Sequence, residues 1–251
     1  MTARVAHLCR HPIKSAGFEE VARVTLAPGR AFPFDREWAV AHAAAKFGAD
    51  PCGWQPKLNF LRGWGSADLM AVACTSDEGA RRLRLTHPRA TALEVCPDDP
   101  ADAARLIDWL RPFWADTRPE PARVVRVPGQ PMTDTPEPYV AILNLASNRA
   151  LGQRLGRDLS IHRWRGNVWL DGLAPWEEFD LIGRDITLGT ATLRVEERIG
   201  RCRATCANPD TGTFDADTLG ALEQGHGHQD FGVYARVITG GDVATGDSAS
   251  W

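Results

Sequence analysis

The chain has no long apolar run and no dominant sign of charge, and each shortage excludes something. No stretch approaches the ~18 consecutive apolar residues of a membrane-spanning helix, so no membrane partner is expected. The start, Met1-Thr2-Ala3-Arg4-Val5-Ala6-His7, holds no apolar segment of the secretory kind, and a cytoplasmic location is expected. With 29 Lys+Arg against 32 Asp+Glu the formal net charge is −3, and no nucleic-acid partner is called for. Internal repeats and low-complexity tracts are absent. The six cysteines (9, 52, 74, 96, 202 and 206) read, in a reducing compartment, as thiols, metal ligands or redox groups rather than staples.

What is present is turn chemistry. The 251 residues include 23 glycines and 17 prolines, above the roughly 12% of an average chain. Such corners argue against a long-helix bundle and for many short strands. At 43% hydrophobic and 24% charged, the chain has the composition of a globular protein with one large domain or two modest ones.

Periodicity places strands at Val5–Cys9, Val21–Leu26, Glu37–Ala41, Leu69–Cys74, Leu83–Thr86 and Leu93–Cys96. Asp99-Pro100 then opens an amphipathic helix over Pro100–Trp114, with Leu106, Ile107, Leu110, Phe113 and Trp114 on one face. Thr117–Pro138 is rich in proline and glycine, with the short strand Arg123–Val127 inside it, and reads as the domain crossing. Beyond it come strand Tyr139–Leu143, a short helix with Ser147 as N-cap and Gly156 as terminator, and strands Leu159–Leu170 and Ile186–Glu197. A helix near Ala216–Gln224 stops at Gly225, and Phe231–Ile238 is the last strand. The expected fold is mainly β with a few short helices (α+β), in two barrel- or sandwich-like units divided as 1–118 and 119–251.

Four constellations can carry chemistry. Lys14-Ser15, just after a strand, offers an ammonium, a hydroxyl and backbone N–H groups to an anion, or is a solvated loop; it lacks Walker A spacing. Asp35-Arg36 is either a turn ion pair or an anion contact. In an extended strand, Arg163, Arg165 and Asn167 share one side, a donor array suited to phosphate or a polar heterocycle; the alternative is a charged edge. Cys202 lies between Arg201 and Arg203, which would favour its thiolate, a nucleophile or soft-metal ligand. Its alternatives are a core thiol or, with Cys206, His226 and His228, a zinc site of loose spacing.

The order of these motifs is more specific than any one of them. His11-Pro12-Ile13-Lys14-Ser15, Asp35-Arg36, Asn144-Leu145-Ala146-Ser147, Arg163-Trp164-Arg165-Gly166-Asn167, Arg201-Cys202 with Asn208-Pro209-Asp210-Thr211-Gly212, Phe231-Gly232-Val233-Tyr234 and Gly246-Asp247 follow in series. The series resembles the MOSC family, named for the C-terminal domain of molybdenum cofactor sulfurases, and the first half resembles the β-barrel domain that often precedes it. The resemblance implies a β-barrel MOSC domain and a molybdenum cofactor, a molybdopterin whose metal is bound by Cys202. It implies cofactor contacts from Lys14, Ser15, Arg36, Ser147, Arg163, Arg165, Asn167, Arg201 and Tyr234. The architecture is similar to that of amidoxime-reducing enzymes, which implies an oxidoreductase turning N–OH into N–H on small N-hydroxylated substrates. No cysteine cluster for an iron–sulfur centre follows Gly246-Asp247, so electrons are expected from a separate donor such as a ferredoxin or flavin reductase. The alternative role is a non-catalytic carrier of the cofactor, or of sulfur as a Cys202 persulfide with Cys206 as relay. Gly166 stands where many relatives have proline, an expected loosening of that strand.

Overall fold

The computed structural model describes residues 3–48 and 50–251. The elements of the first half are β1 (Ala3–Arg10), β2 (Glu19–Val21), β3 (Arg23–Leu26), β4 (Ala39–His42), β5 (Ala73–Asp77), β6 (Arg82–His87), β7 (Ala90–Val95), α1 (Pro100–Leu110) and β8 (Pro121–Val125). Then follow β9 (Val140–Asn144), α2 (Leu145–Leu155), β10 (Val168–Asp171), β11 (Asp185–Leu188), β12 (Ala191–Gly200), β13 (Ala207–Asn208) and β14 (Thr213–Phe214). The chain closes with α3 (Thr218–His226), β15 (Asp230–Thr239), β16 (Gly241–Ala244) and β17 (Ser248–Ser250).

Seven strands close a barrel in the order β1-β10-β9-β15-β12-β11-β17, with β17 returning to β1. All pairings are antiparallel except β10 with β9, where Val168 faces Ile142. Alternate residues fill the interior: Val140 and Ile142, Val168 and Leu170, Val233 and Ala235 all belong to one buried cluster. The other face of β9 and β10 is buried too. Ala141, Leu143 and Trp169 pack with Leu151 of α2 and Leu222 of α3. That double burial explains the unbroken apolar run of β9.

The barrel draws on both ends of the chain. β1 pairs with β10 and β17, and β3 pairs with β16. A division at residue 118 therefore leaves the barrel without one of its strands. The remaining first-half elements enclose a second core, in which Trp38, Leu85 and Val95 meet Leu106 and Leu110 of α1. Its hydrogen-bonded units are β5-β6-β7 and β4-β8.

Several local expectations change. Asp99 caps α1 as expected, accepting from the Ala101 and Asp102 N–H groups at 2.9 and 3.0 Å. The α-helix stops at Leu110 and continues as a 3-10 turn over Arg111–Phe113, because Pro112 has no N–H and crowds the preceding turn. The cap of α2 is Asn144, whose Oδ1 accepts from Ala146 N–H at 2.9 Å; Ser147 lies inside the helix. α3 runs through Gly225 and ends at Gly227, which takes φ 70°. Leu69 falls in a 3-10 turn, Asp68–Ala71, ahead of β5.

The largest correction concerns Leu159–Leu170, which is not one strand. Residues Ile161–Trp164 form a 3-10 turn, Arg165 is left-handed at φ 49°, and strand geometry begins only at Val168. Tertiary packing overrides the alternating pattern here. Trp164 stacks on Phe231 with ring centroids 3.8 Å apart, and its carbonyl accepts from Arg201 Nη1 at 2.8 Å. Gly166 is not a loose point in a strand. A Cβ there would stand 1.9 Å from Leu143 Cδ1, so glycine permits the turn to seat on β9.

Candidate functional site

A cleft of about 1110 Å³, including its open mouth, is lined by loops of the first half and by the barrel segments around Arg163–Asn167, Ile199–Thr205 and Tyr234. The backbone around it is strained. Ser15, Arg36 and Arg165 line the cleft and take left-handed φ values of 64°, 51° and 49°. Such conformations cost about 1–3 kcal/mol each and persist only where contacts enforce them. Arg36 N–H donates to His11 O at 2.8 Å, and Lys14 N–H to Trp38 O at 2.8 Å.

The charges that meet here are unequally matched. Arg165 Nη2 donates to the Ile13 and Ala16 carbonyls at 3.0 and 3.3 Å. Arg201 donates to the Phe231 and Trp164 carbonyls. Among the described residues neither guanidinium has a carboxylate partner. Burial lowers the Arg165 pKa to about 9, with Arg36 adding repulsion, and lowers that of Arg201 to about 10. Arg36 is held by Asp35, and its Nη2 donates to the Arg165 carbonyl at 2.9 Å. Burial would raise the Asp35 carboxyl, but Arg36 and His11 hold it below the usual carboxylate range. The fully buried His11 is kept neutral by burial and by Arg165 and Arg36; its Nδ1 lies 3.0 Å from Asp35 Oδ1.

Lys14 is buried, and its Nζ donates to Met132 O at 2.9 Å and to Asp134 Oδ1 at 2.5 Å. Burial lowers the Lys14 pKa. Burial would raise Asp134, but Lys14, helped by Lys57 and Arg36, holds it at about 2. Asp134 thus occupies the basic cleft as an internal anion.

Nine of the ten site residues expected from the sequence line this cleft: Lys14, Ser15, Arg36, Arg163, Arg165, Asn167, Arg201, Cys202 and Tyr234. Ser147 does not. It is fully buried, donates to Glu178 Oε2 at 2.8 Å and accepts from Trp176 N–H at 2.8 Å, so it braces α2 and is not available to a ligand. Arg163, Arg165 and Asn167 do not form one row of donors, because the 3-10 turn separates them. The Arg163 guanidinium is tied to Asp215, Nη2 to Oδ2 at 3.0 Å. Both ends of the Asn167 amide are engaged: Oδ1 accepts from Ala141 N–H at 3.0 Å and Nδ2 donates to Cys9 O at 3.2 Å. Arg165 alone of the three presents an uncompensated charge.

Cys202 is an exposed thiol on the cleft wall. Only one of its flanking arginines faces the cleft. Arg203 turns away and stacks on Phe214, 4.0 Å from guanidinium carbon to ring centroid. Cys206 is buried, with Sγ 3.4 Å from Thr218 Oγ1, and His226 packs 4.1 Å from Trp176. Among the described residues no three His, Cys, Asp or Glu side chains gather as a metal site.

Sequence reading missed Asp134, Lys57, Arg62, Trp64 and Tyr139 in the cleft wall. Asp134 and Tyr139 lie in or beside the segment read as a domain crossing, where proline content masks any periodic signal. One available signal was tyrosine scarcity: the chain has two, and they stack in the cleft with centroids 5.1 Å apart.

Comparison with known proteins finds a family match and several relatives. The MOSC domain model matches residues 130–250. The chain is 26% identical over 252 residues to the molybdenum cofactor sulfurase of Drosophila grimshawi, covering 92% of this chain and 32% of that protein. It is 29% identical over 99 residues to the molybdenum cofactor sulfurase of Drosophila willistoni, covering 39% of this chain and 12% of that one. The chain thus spans about a third or less of these relatives. Among solved structures, the YuaD protein of Bacillus subtilis aligns over 99% of this chain and 94% of its own, at TM-score 0.47 and 13% identity. YiiM of Geobacillus stearothermophilus aligns over 44% and 52%, at TM-score 0.33 and 20% identity. No helix among the described residues is long and apolar enough to cross a membrane. Residues 130–250, which supply six of the seven barrel strands and three of the five arginines lining the cleft, are a MOSC domain.

Proposed function

We propose that the cleft binds a molybdenum cofactor and that the protein is an oxidoreductase converting small N-hydroxylated compounds from N–OH to N–H. The observation that carries this reading is the pair of half-buried guanidiniums, Arg165 and Arg201, without carboxylate partners beside the exposed Cys202 thiol. Uncompensated buried charge is costly, and a phosphate of a bound ligand is the group that would satisfy it. The donor set therefore fits a phosphate-bearing pterin with a thiolate-ligated metal.

Within that reading Arg165, Arg201 and Arg36 hold the phosphate, with Lys14 and Ser15 at its edge. Asp35 and His11 keep Arg36 in place. Cys202 supplies the protein's thiolate to the metal, and Arg201 offsets its charge. Tyr139 and Tyr234 form a flat wall against which a planar group can lie. Asn167 and Arg163 position the turn that carries Arg165. The bound cofactor supplies the two electrons that, with two protons, release the hydroxyl oxygen as water. Those electrons come from a separate donor protein, a ferredoxin or a flavin reductase. A cytoplasmic setting suits the six unpaired thiols.

The test is the molybdenum and pterin content of protein made in a cofactor-competent host, with and without Cys202→Ala, together with benzamidoxime turnover using a chemical reductant. Near-stoichiometric molybdenum and turnover in the parent, both lost in the variant, are expected. The exposure of Cys202 also favours a second reading, a carrier of the cofactor or of sulfur as a Cys202 persulfide. Transfer of intact cofactor or of sulfur to an acceptor apo-enzyme, without benzamidoxime turnover, would select it. The burial of Cys206 beside Thr218 argues against that residue as the relay.

A further inference from the structure

The outer wall of the cleft carries groups that a cofactor phosphate at Arg165 and Arg201 would leave unused. Arg62-Gly63-Trp64-Gly65 is a tight turn, closed by Gly65 N–H donating to Arg62 O at 2.9 Å. Its two glycines are packing positions. A Cβ at Gly63 would stand 2.4 Å from Met70 Sδ and 3.2 Å from Ala204 Cβ, two residues beyond Cys202. A Cβ at Gly65 would stand 2.9 Å from Arg118 Nε. The turn is therefore clamped onto the segment that bears Cys202, while Trp64 between the glycines remains 41% exposed and lines the cleft.

The charges around that indole are unmatched. Arg62 also lines the cleft, with its guanidinium carbon 5.6 Å from the Trp64 ring; Arg118 lies 5.1 Å from the same ring and 5.6 Å from that of Trp114. Among the described residues neither arginine forms an ion pair or a side-chain hydrogen bond. An exposed indole at the mouth, beside a guanidinium that has no carboxylate partner, has the chemistry to stack a flat ring and to pair with an anion on it.

We propose that Trp64 and Arg62 form a substrate-selecting subsite for planar aromatic compounds that carry a carboxylate. The proposal deepens the reductase reading and rests on it for the word substrate, whereas the subsite itself is measurable as simple binding. Trp64 stacks the arene, Arg62 takes the carboxylate, and Arg118 braces the turn from behind Gly65.

The test is calorimetric titration of the purified protein, as loaded in its host, with 2-naphthoate and its neutral analogue 2-naphthamide. Naphthoate should bind about tenfold more tightly than naphthamide. Trp64→Ala should weaken both by about tenfold, Trp64→Phe should restore most of the loss, and Arg62→Gln should remove only the preference for the acid. Unchanged thermal midpoints check that the variants fold. A naphthoate preference that survives Arg62→Gln would assign binding to the inner arginines and overturn the proposal, as would naphthamide binding indifferent to Trp64→Ala. Absence of benzamidoxime turnover with the binding pattern intact would instead overturn the reductase reading alone.

Discussion

Arg165 Nη2 donates to the carbonyl of Ile13 at 3.0 Å, joining two segments 152 residues apart. The contact fastens the turn before β10 to the loop after β1 and leaves the rest of the guanidinium turned to the cleft without a counter-charge. A half-buried cation satisfied only by carbonyls is poised for an anion, and this has measurable consequences.

Inorganic phosphate should stabilise cofactor-free protein. At about 100 times its dissociation constant the gain is roughly 2.7 kcal/mol, or a rise of about 5–10 °C in the unfolding midpoint. Arg165→Gln and Arg201→Gln should abolish most of that rise while changing the phosphate-free midpoint little, because each removes an unpaired charge along with its carbonyl contacts. Differential scanning calorimetry across a phosphate series measures both effects; an undiminished shift in the two variants would remove the anion site.

Asp134 competes with any anion for Lys14. Asp134→Asn should therefore tighten phosphate binding several-fold, about 1 kcal/mol, as read by isothermal titration at pH 7. The sign of the pH effect follows from the folded carboxyl, held at about 2 against an ordinary 3.8. Its contact with Lys14 is fully present above the ordinary value and is lost as pH falls through about 2. Acid unfolding of the Asp134→Asn protein should lack this component in that window.

Thiol accessibility separates the cysteines. Cys52 and Cys202 are exposed, whereas Cys9, Cys74 and Cys206 are buried, and burial pushes the Cys9 and Cys74 thiols up in pKa. A thiol reagent should label two sites rapidly in native protein, and Cys202→Ala should leave one fast site. Mass mapping that finds Cys206 labelled as quickly as Cys202 would contradict the placement of the short turn after Cys202.

Asn167 joins β9 to β1 through its amide. Asn167→Ala takes the side-chain partner from the buried Ala141 N–H and Cys9 carbonyl, and should destabilise the fold by about 1–3 kcal/mol. Gly166→Ala meets Leu143 directly and should cost about 1–3 kcal/mol by overpacking. Urea unfolding monitored by tryptophan fluorescence gives both values.

Much of this molecule is legible locally. Asp99-Pro100 is a complete start signal for α1 because the cap side chain and the proline act within three residues. The alternating apolar residues of β15 report a barrel strand directly, since its inward side chains share one cluster. The ordered motifs from Lys14 to Tyr234 name nine of the residues that converge on the cleft, Cys202 among them, because residue chemistry survives in one dimension.

Tertiary structure alone decided which member of each motif faces the ligand and which is bound into the frame. Arg163 and Arg165 are two residues apart and indistinguishable by type, yet one is paired with Asp215 and the other meets only carbonyls. The difference arises from a 3-10 turn and a left-handed residue, imposed by Trp164 stacking on Phe231 and Gly166 seating on Leu143. Ser147 and Cys206 are likewise claimed by Glu178 and Thr218, partners 31 and 12 residues away. The seam of β1 against β17 lies between the first and last strands in chain order, and β1 also pairs with β10 in the second half of the sequence. Such assignments depend on which distant group arrives first at a hydrogen-bonding or packing position, and no local pattern encodes that.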